Sequence, residues 1–249
     1  MGVRMKSSQP TLTHAGPSLW GLALVYTSLA TTGLVSGVLL KHGAGTVNPF
    51  GPAEDARRFF ADNPVALQVS SFFQFGSAVS LGIYVATVVS RLRFLGVRAA
   101  GSHIALFGGF VASTALMISG LFAWVLSVPE VAESLAATRL AHFMTFLLGG
   151  PGFAVGFGLL TAGVSITGYF FRLLPRWVIW FGLVIAAAGE LSSLSLLTLW
   201  ATPLIPVVRF FGFIWLIAAG ATLPKTISAI TAPGDTVLGP NIGIRDEAA

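Results

Sequence analysis

Charge is scarce in this chain. Asp, Glu, Lys and Arg together make up 9% of its 249 residues, against about 25% in an ordinary soluble domain. With 55% of the residues hydrophobic, there is too little charge to cover a water-facing surface. Cysteine is missing altogether, which excludes disulfides, thiolate zinc sites, iron–sulfur ligation and cysteine nucleophiles. Histidine is nearly as rare. Haem held by two histidines needs both at one depth on facing helices; His42 and His142 fall toward one side of the chain's layout and His103 toward the other. No metal and no cofactor is expected. A Ser-His-Asp spacing, a His-Glu-x-x-His helix and a paired-carboxylate motif are equally wanting, so a catalytic role finds no support in the residues.

The formal net charge is +5 and the pI about 10.2, values that raise the question of nucleic acid. A nucleic-acid binder needs its basic residues gathered on a face with aromatic or groove-reading elements. Here they stand singly or in small groups between apolar runs, which is the pattern of membrane topology, and no nucleic-acid partner is expected.

What the chain does have is long uncharged stretches. Ser18 to Leu40, Val65 to Ser90, Ala99 to Val128 and Leu140 to Phe171 contain no Asp, Glu, Lys or Arg, and Trp177 to Val208 contains Glu190 alone. A helix rises about 1.5 Å per residue, so roughly 20 apolar residues cross the hydrocarbon core. The first stretch follows Arg4 and Lys6 as a secretory signal would, but it is far longer than the roughly 7–15-residue apolar core of a signal and reads as a retained span. Beyond Trp177 there is room for two crossings, and Trp200-Ala201-Thr202-Pro203-Leu204-Ile205-Pro206 supplies the turn between them. The expected fold is therefore all-α, a polytopic transmembrane bundle of six spans at about 18–40, 65–90, 99–128, 140–168, 177–199 and 203–223. Residues 1–17 form a cytoplasmic N-terminal segment, and 225–249, rich in Pro, Gly and acids, a disordered cytoplasmic tail.

Sidedness follows from the basic loops. With the N-terminus inside, Arg4, Lys6, Arg91, Arg93, Arg98, Arg172, Arg176, Lys225 and Arg245 are cytoplasmic, while Lys41, Arg57, Arg58, Arg139 and Arg209 lie on the outer side. The acids Glu54, Asp55, Asp62, Glu130 and Glu133 also fall outside. This places the chain in a plasma membrane with both termini cytoplasmic and the lipid bilayer as its first partner; self-association stays open. In the first outer loop, Gly51-Pro52-Ala53-Glu54-Asp55 puts proline at a first helical position with acids in the first turn, and Asn63-Pro64 caps and opens the second span.

Several residues within the spans could carry chemistry. Glu190 lies near mid-membrane, where a charge costs on the order of 2.5–3.5 kcal/mol on insertion scales. It reads either as a proton- or ligand-binding carboxylate or as an interhelical hydrogen bonder, with Ser192, Ser193 and Ser195 close by. Arg209 falls within roughly 5 Å of the same depth on the next, antiparallel span, so a Glu190–Arg209 contact is available. Arg139 and His142 share a helical face at the outer end of span four and extend this polar focus, with snorkelling and interfacial hydrogen bonding as the plainer alternatives. Gly149, Gly150, Pro151 and Gly152 predict a kinked or broken helix at similar depth, as in the broken spans of transporters. Gly152 and Gly156, like Gly33 and Gly37, have the spacing of close helix packing. Gln68, Gln74, Ser70, Ser71 and Ser77 add hydrogen-bonding capacity to span two.

The outer loop ending in Asp62-Asn63-Pro64, the basic loop Arg91-Leu92-Arg93 and Leu174-Pro175-Arg176-Trp177 before span five resemble the uncharacterised bacterial six-span membrane proteins grouped as a domain of unknown function. The likeness covers about Ser18 to Leu223, implies the same six-span fold, and brings no functional residue with it. Two functions lead, binding or transport of a small polar solute or proton and a non-catalytic membrane subunit or sensor acting through helix packing; a membrane enzyme stands third, since few acids and histidines converge.

The absence of natural cysteine makes sidedness directly measurable. A single cysteine at Asp62 should react with an impermeant maleimide in intact cells, and one at Lys225 only after permeabilisation; the reverse pattern would invert the topology.

Overall fold

The computed structural model describes residues 11–43 and 47–228. Six helices in it are long and apolar enough to cross a membrane, so the chain is an all-α, multi-pass membrane protein. Span one is α1 (Leu19–Leu39), begun by Ser18, whose hydroxyl caps the Gly21 N–H. A short helix α2 (Ala53–Asp62) leads into span two, α3 (Pro64–Phe94), and span three is α4 (Ala100–Val125). After a single turn, α5 (Pro129–Glu133), span four is made of α6 (Leu135–Leu147), a π-helical turn over Leu148–Gly152 and α7 (Phe153–Phe170). Span five is α8 (Arg176–Leu191) continued by a 3₁₀ turn, and α9 (Leu204–Thr222) is span six.

Each span packs antiparallel against the next, and α9 returns to α1, so the six close into a ring. Hydrophobic burial cannot drive such packing in lipid, where the outside is as apolar as the inside; close backbone approach and internal hydrogen bonds must. The α4–α7 seam is made in this way. A Cβ on Gly156 would lie 2.6 Å from the Ala112 nitrogen, and one on Gly163 would lie 2.5 Å from the Gly101 carbonyl. Gly33 and Gly37 of α1 do the same service against Phe73 and Ser70 of α3. Two side chains tie the ring through backbone carbonyls: Tyr84 donates to Leu216, and Trp215 Nε1 to Val178.

Termini and loops sit at opposite ends. At the terminal end Thr11–Thr13 (β1) pairs antiparallel with Thr226–Ser228 (β2), and the His14 N–H donates to the Lys225 carbonyl. The tail expected to be disordered from residue 225 is therefore ordered through 228, because the strand before α1 offers its backbone a partner; the rest of that tail, and residues 1–10, lie outside the described residues. His14 bonds Ser90 beneath this strap, and burial together with the nearby Arg91 charge holds its imidazole below the usual histidine range. Arg91, assigned to a basic loop by sequence, is instead 1% exposed inside the end of α3, with one bond to the Pro17 carbonyl. Glycine ends α3: Gly96 takes φ +83°, and the Val97 N–H reaches back to the Leu92 carbonyl.

Two local expectations shift. Pro52 precedes α2 rather than opening it, though Glu54 and Asp55 fill the first turn, where Arg57 bonds Glu54 at 2.7 Å and keeps its carboxyl below the usual range. Asn63 stands at the start of α3 without capping it. Its amide instead donates to the Phe59 carbonyl and its oxygen accepts from the His42 N–H, which joins α2, α3 and the start of the first loop.

The α4–α7 seam gives a direct test. Gly156→Val should lower thermal stability in detergent by about 1–3 kcal/mol, the usual range for overpacking, whereas Gly21→Ala, whose Cβ would meet Ser18 at an ordinary 3.5 Å, should change little.

Candidate functional site

A cavity of about 600 Å³ occupies the loop-end half of the bundle, between α1, α3, α4, the span-four break and α9. Its origin is the sequence Gly149-Gly150-Pro151-Gly152. Proline has no N–H to continue the helix, and Gly150 leaves helical geometry altogether, at φ −97° and ψ −106°. The Phe153 N–H, which an unbroken α-helix would give to Gly149, goes instead to the carbonyls of Gly150 and Leu148. The Gly149 carbonyl is thus left without its helical partner at membrane depth, beside the cavity.

Arg209 supplies that partner. Its Nη2 donates to the Gly149 oxygen at 2.7 Å, and its guanidinium lies 5.1 Å from the centre of the Phe153 ring, the first residue of α7. Arg209 reaches this position because α9 starts at Leu204, which sets it five residues, roughly 8 Å, inside the loop end. Beside it, Gln74 Nε2 donates to Ser119 Oγ at 3.1 Å and to the Leu116 carbonyl at 3.2 Å, and Ser119 Oγ donates to the Thr145 carbonyl at 2.9 Å. The chain Gln74–Ser119–Thr145 ties α3, α4 and α6 together and forms one wall of the cavity. Gly149 has to be glycine here, since a Cβ would fall 2.5 Å from Ser119 Oγ.

Tyr26 of α1 also lines the cavity, its ring edge-on to Phe213 of α9 at 5.4 Å. Its hydroxyl has no protein hydrogen-bond partner among the described residues. No carboxylate lies among the residues lining the cavity, and no ion pair to Arg209 occurs among the described residues.

The four-residue focus expected from sequence is therefore separated. Arg209 joins Gly149 and Gly150 at the cavity, with Pro151 behind them in the break. Arg139 and His142 do share a face of α6, but they engage the first loop: Arg139 donates to the Gly51 carbonyl at 3.0 Å and stacks on Phe143, and His142 meets the Phe60 ring edge-on at 4.9 Å. Glu190 is exposed on the outside of the bundle, outside the cavity lining. The contact with Arg209 is not made, because Glu190 sits on α8 next to Gly158 of α7 while Arg209 turns to Gly149. Nor does its carboxylate bond the nearby serines. Ser192 and Ser193 instead donate to the backbone carbonyls of Gly189 and Glu190 at 2.6 Å, and these back-bonds accompany the tightening that ends α8 at Leu191 rather than near Leu199.

Tyr26, Ser119 and Thr145 were not singled out by the sequence. Uncharged hydroxyls recur in every span, and nothing in spacing separates the few that face a cavity from those that bond their own helix away from it, as Ser80 and Thr87 do.

Gly149→Ala should break the Ser119–Thr145 bond and lower thermal stability by about 1–3 kcal/mol, the penalty of a buried polar group left unsatisfied. Gly150→Ala, whose Cβ would meet only the Ile205 side chain at 3.1 Å, should cost less.

Comparison of the chain with protein-family models, with curated proteins and with solved structures finds no match in any of the three.

Proposed function

We propose that this protein binds a small solute carrying negative charge in the cavity between α1, α3, α4, span four and α9, and passes it through a plasma membrane in which both termini are cytoplasmic. One observation carries the reading. Arg209 presents its guanidinium to a cavity at membrane depth with no acid among the described residues to balance it. An unpaired cation there costs on the order of 2.5–3.5 kcal/mol on insertion scales. A single bond to a carbonyl, with one aromatic face, offsets part of that cost and leaves most of the guanidinium's five donors free. An anion in the cavity would use them.

The broken span supports the same reading, since irregular backbone at this depth persists where it lines a cavity, and here it does. Glu190 has no part in the recognition step, because it stands outside the cavity; a proton as the cargo loses its acceptor with it. The subunit or sensor reading draws on that same exposed carboxylate, which a partner helix carrying a cation would match.

The test separates function from folding. Arg209→Leu removes a costly buried charge and exposes one carbonyl, so its melting temperature in detergent should stay within a few degrees of wild type or rise. Acetate at about a hundred times its dissociation constant should stabilise the wild type by about 2.7 kcal/mol and leave Arg209→Leu unmoved. Equal stabilisation of both proteins would remove the cavity arginine from the function.

A further inference from the structure

The cavity's ligand can be specified further by counting the donors still free to meet it. Gln74 has its amide N–H groups in bonds to Ser119 and Leu116, Ser119 is committed to Thr145, and Ser70 and Ser77 are bonded to their own helix. Thr202 also lines the cavity, but its Oγ1, though without a partner, has no accessible surface through which to meet a ligand. What remains is the guanidinium of Arg209 and the hydroxyl of Tyr26; both line the cavity, and the Tyr26 ring packs on Phe213, one turn along α9 from Arg209.

Such a pair suits one anionic head with two oxygens, which a guanidinium grips through two parallel bonds. It cannot satisfy a polyanion, whose remaining oxygens would find no further donor and would face Ala30, Leu34, Val38, Ile205, Phe210 and Phe213. The volume, about 600 Å³, is that of a pocket for a whole small molecule and far exceeds the needs of the head alone. The rest of the ligand must be hydrocarbon.

The wall facing lipid is open in the same sense. Leu34 and Val38 of α1 and Phe210 of α9 line the cavity and are also 52%, 55% and 48% exposed. Toward the terminal end α1 is held to α9, by Gly220 against Leu19 and Trp20 and by Tyr26 against Phe213. Along its length α1 is the least covered span, with 17% of its central window buried. Leu34 and Val38 lie beyond those contacts, where α1 runs on to the loop end.

We infer that the ligand is a single-chain amphiphile with a carboxylate head, that Arg209 and Tyr26 hold the head, and that it enters sideways from the bilayer between the loop-end halves of α1 and α9. This rests on the anion-binding reading above. A carboxylate dissolved in water and one borne on a lipid chain share the head chemistry, and the chain distinguishes them.

The experiment uses the full-length protein in phosphatidylcholine nanodiscs, with acetate, dodecanoate and dodecanol as probes, read by thermal shift and native mass spectrometry. Dodecanoate should bind at least about tenfold more tightly than either acetate or dodecanol, since it alone has both parts. Arg209→Gln should reduce dodecanoate to the level of dodecanol, about a tenfold loss or more for a charged hydrogen bond. Tyr26→Phe, a milder change that preserves the Phe213 contact, should weaken dodecanoate several-fold and leave dodecanol unchanged. Val38→Trp should slow dodecanoate exchange without altering acetate binding. Acetate binding as tightly as dodecanoate would overturn the amphiphile and leave the anion reading standing. Failure of both anions to bind would overturn the two together, and an exchange rate indifferent to Val38→Trp would overturn the lateral entry.

Discussion

The bond from Arg209 to the Gly149 carbonyl joins two groups that the membrane would not tolerate alone. A helix broken by Pro151 leaves a carbonyl without its N–H, and an arginine in span six brings a charge to membrane depth. Each solves half of the other's problem. The carbonyl is fully answered, because one donor is what it needs; the guanidinium is not, because one carbonyl and one ring face use only part of what it offers. The surplus is directed at the cavity, and with it the polarity of the whole loop-end half of the bundle is set.

The rest of the fold keeps that arrangement in place. Small residues let α4 and α7 approach until backbone touches backbone, and this fixes Phe153, at the head of α7, under the arginine. Gln74, Ser119 and Thr145 hold α3, α4 and α6 at the distance that leaves the cavity open, with no charge spent on the task. At the loop end Arg139, His142, Asn63 and the phenylalanines of the first loop fasten α2 over α6. At the terminal end the β1–β2 strap joins the segments before span one and after span six, the two spans whose seam closes the ring. The halves of the molecule thus differ in kind, one knitted shut and the other left hollow.

Glu190 shows how depth alone misleads. Its distance along span five places it near Arg209 in height, and two charges of opposite sign at one height on consecutive helices suggest a pair. Height leaves the rotation about the helix axis undetermined. On α8 the positions packed inward include Val178, Gly182, Ile185 and Gly189, and that face leaves Glu190 at the edge of the α7 contact and open to the outside. Arg139 and His142 illustrate the same point, since the three-residue spacing put them on one face and only packing chose the first loop, rather than the cavity, for that face to meet.

The sequence by itself determined the class, the number of spans and the position of the break. Those depend on quantities that accumulate along the chain: enough consecutive apolar residues to cross lipid, and a proline among glycines that cannot continue a helix. It determined the charged residues within the spans as well, because lipid makes each of them conspicuous. Tertiary structure alone decided which of them meet. The closing of α9 onto α1, the recruitment of Tyr26, Ser119 and Thr145, the burial of Arg91 and the outward turn of Glu190 all depend on rotations and neighbours of helices that are apolar on every side. A helix surrounded by hydrocarbon has no polar face to declare its orientation, so periodicity is silent where packing is decisive.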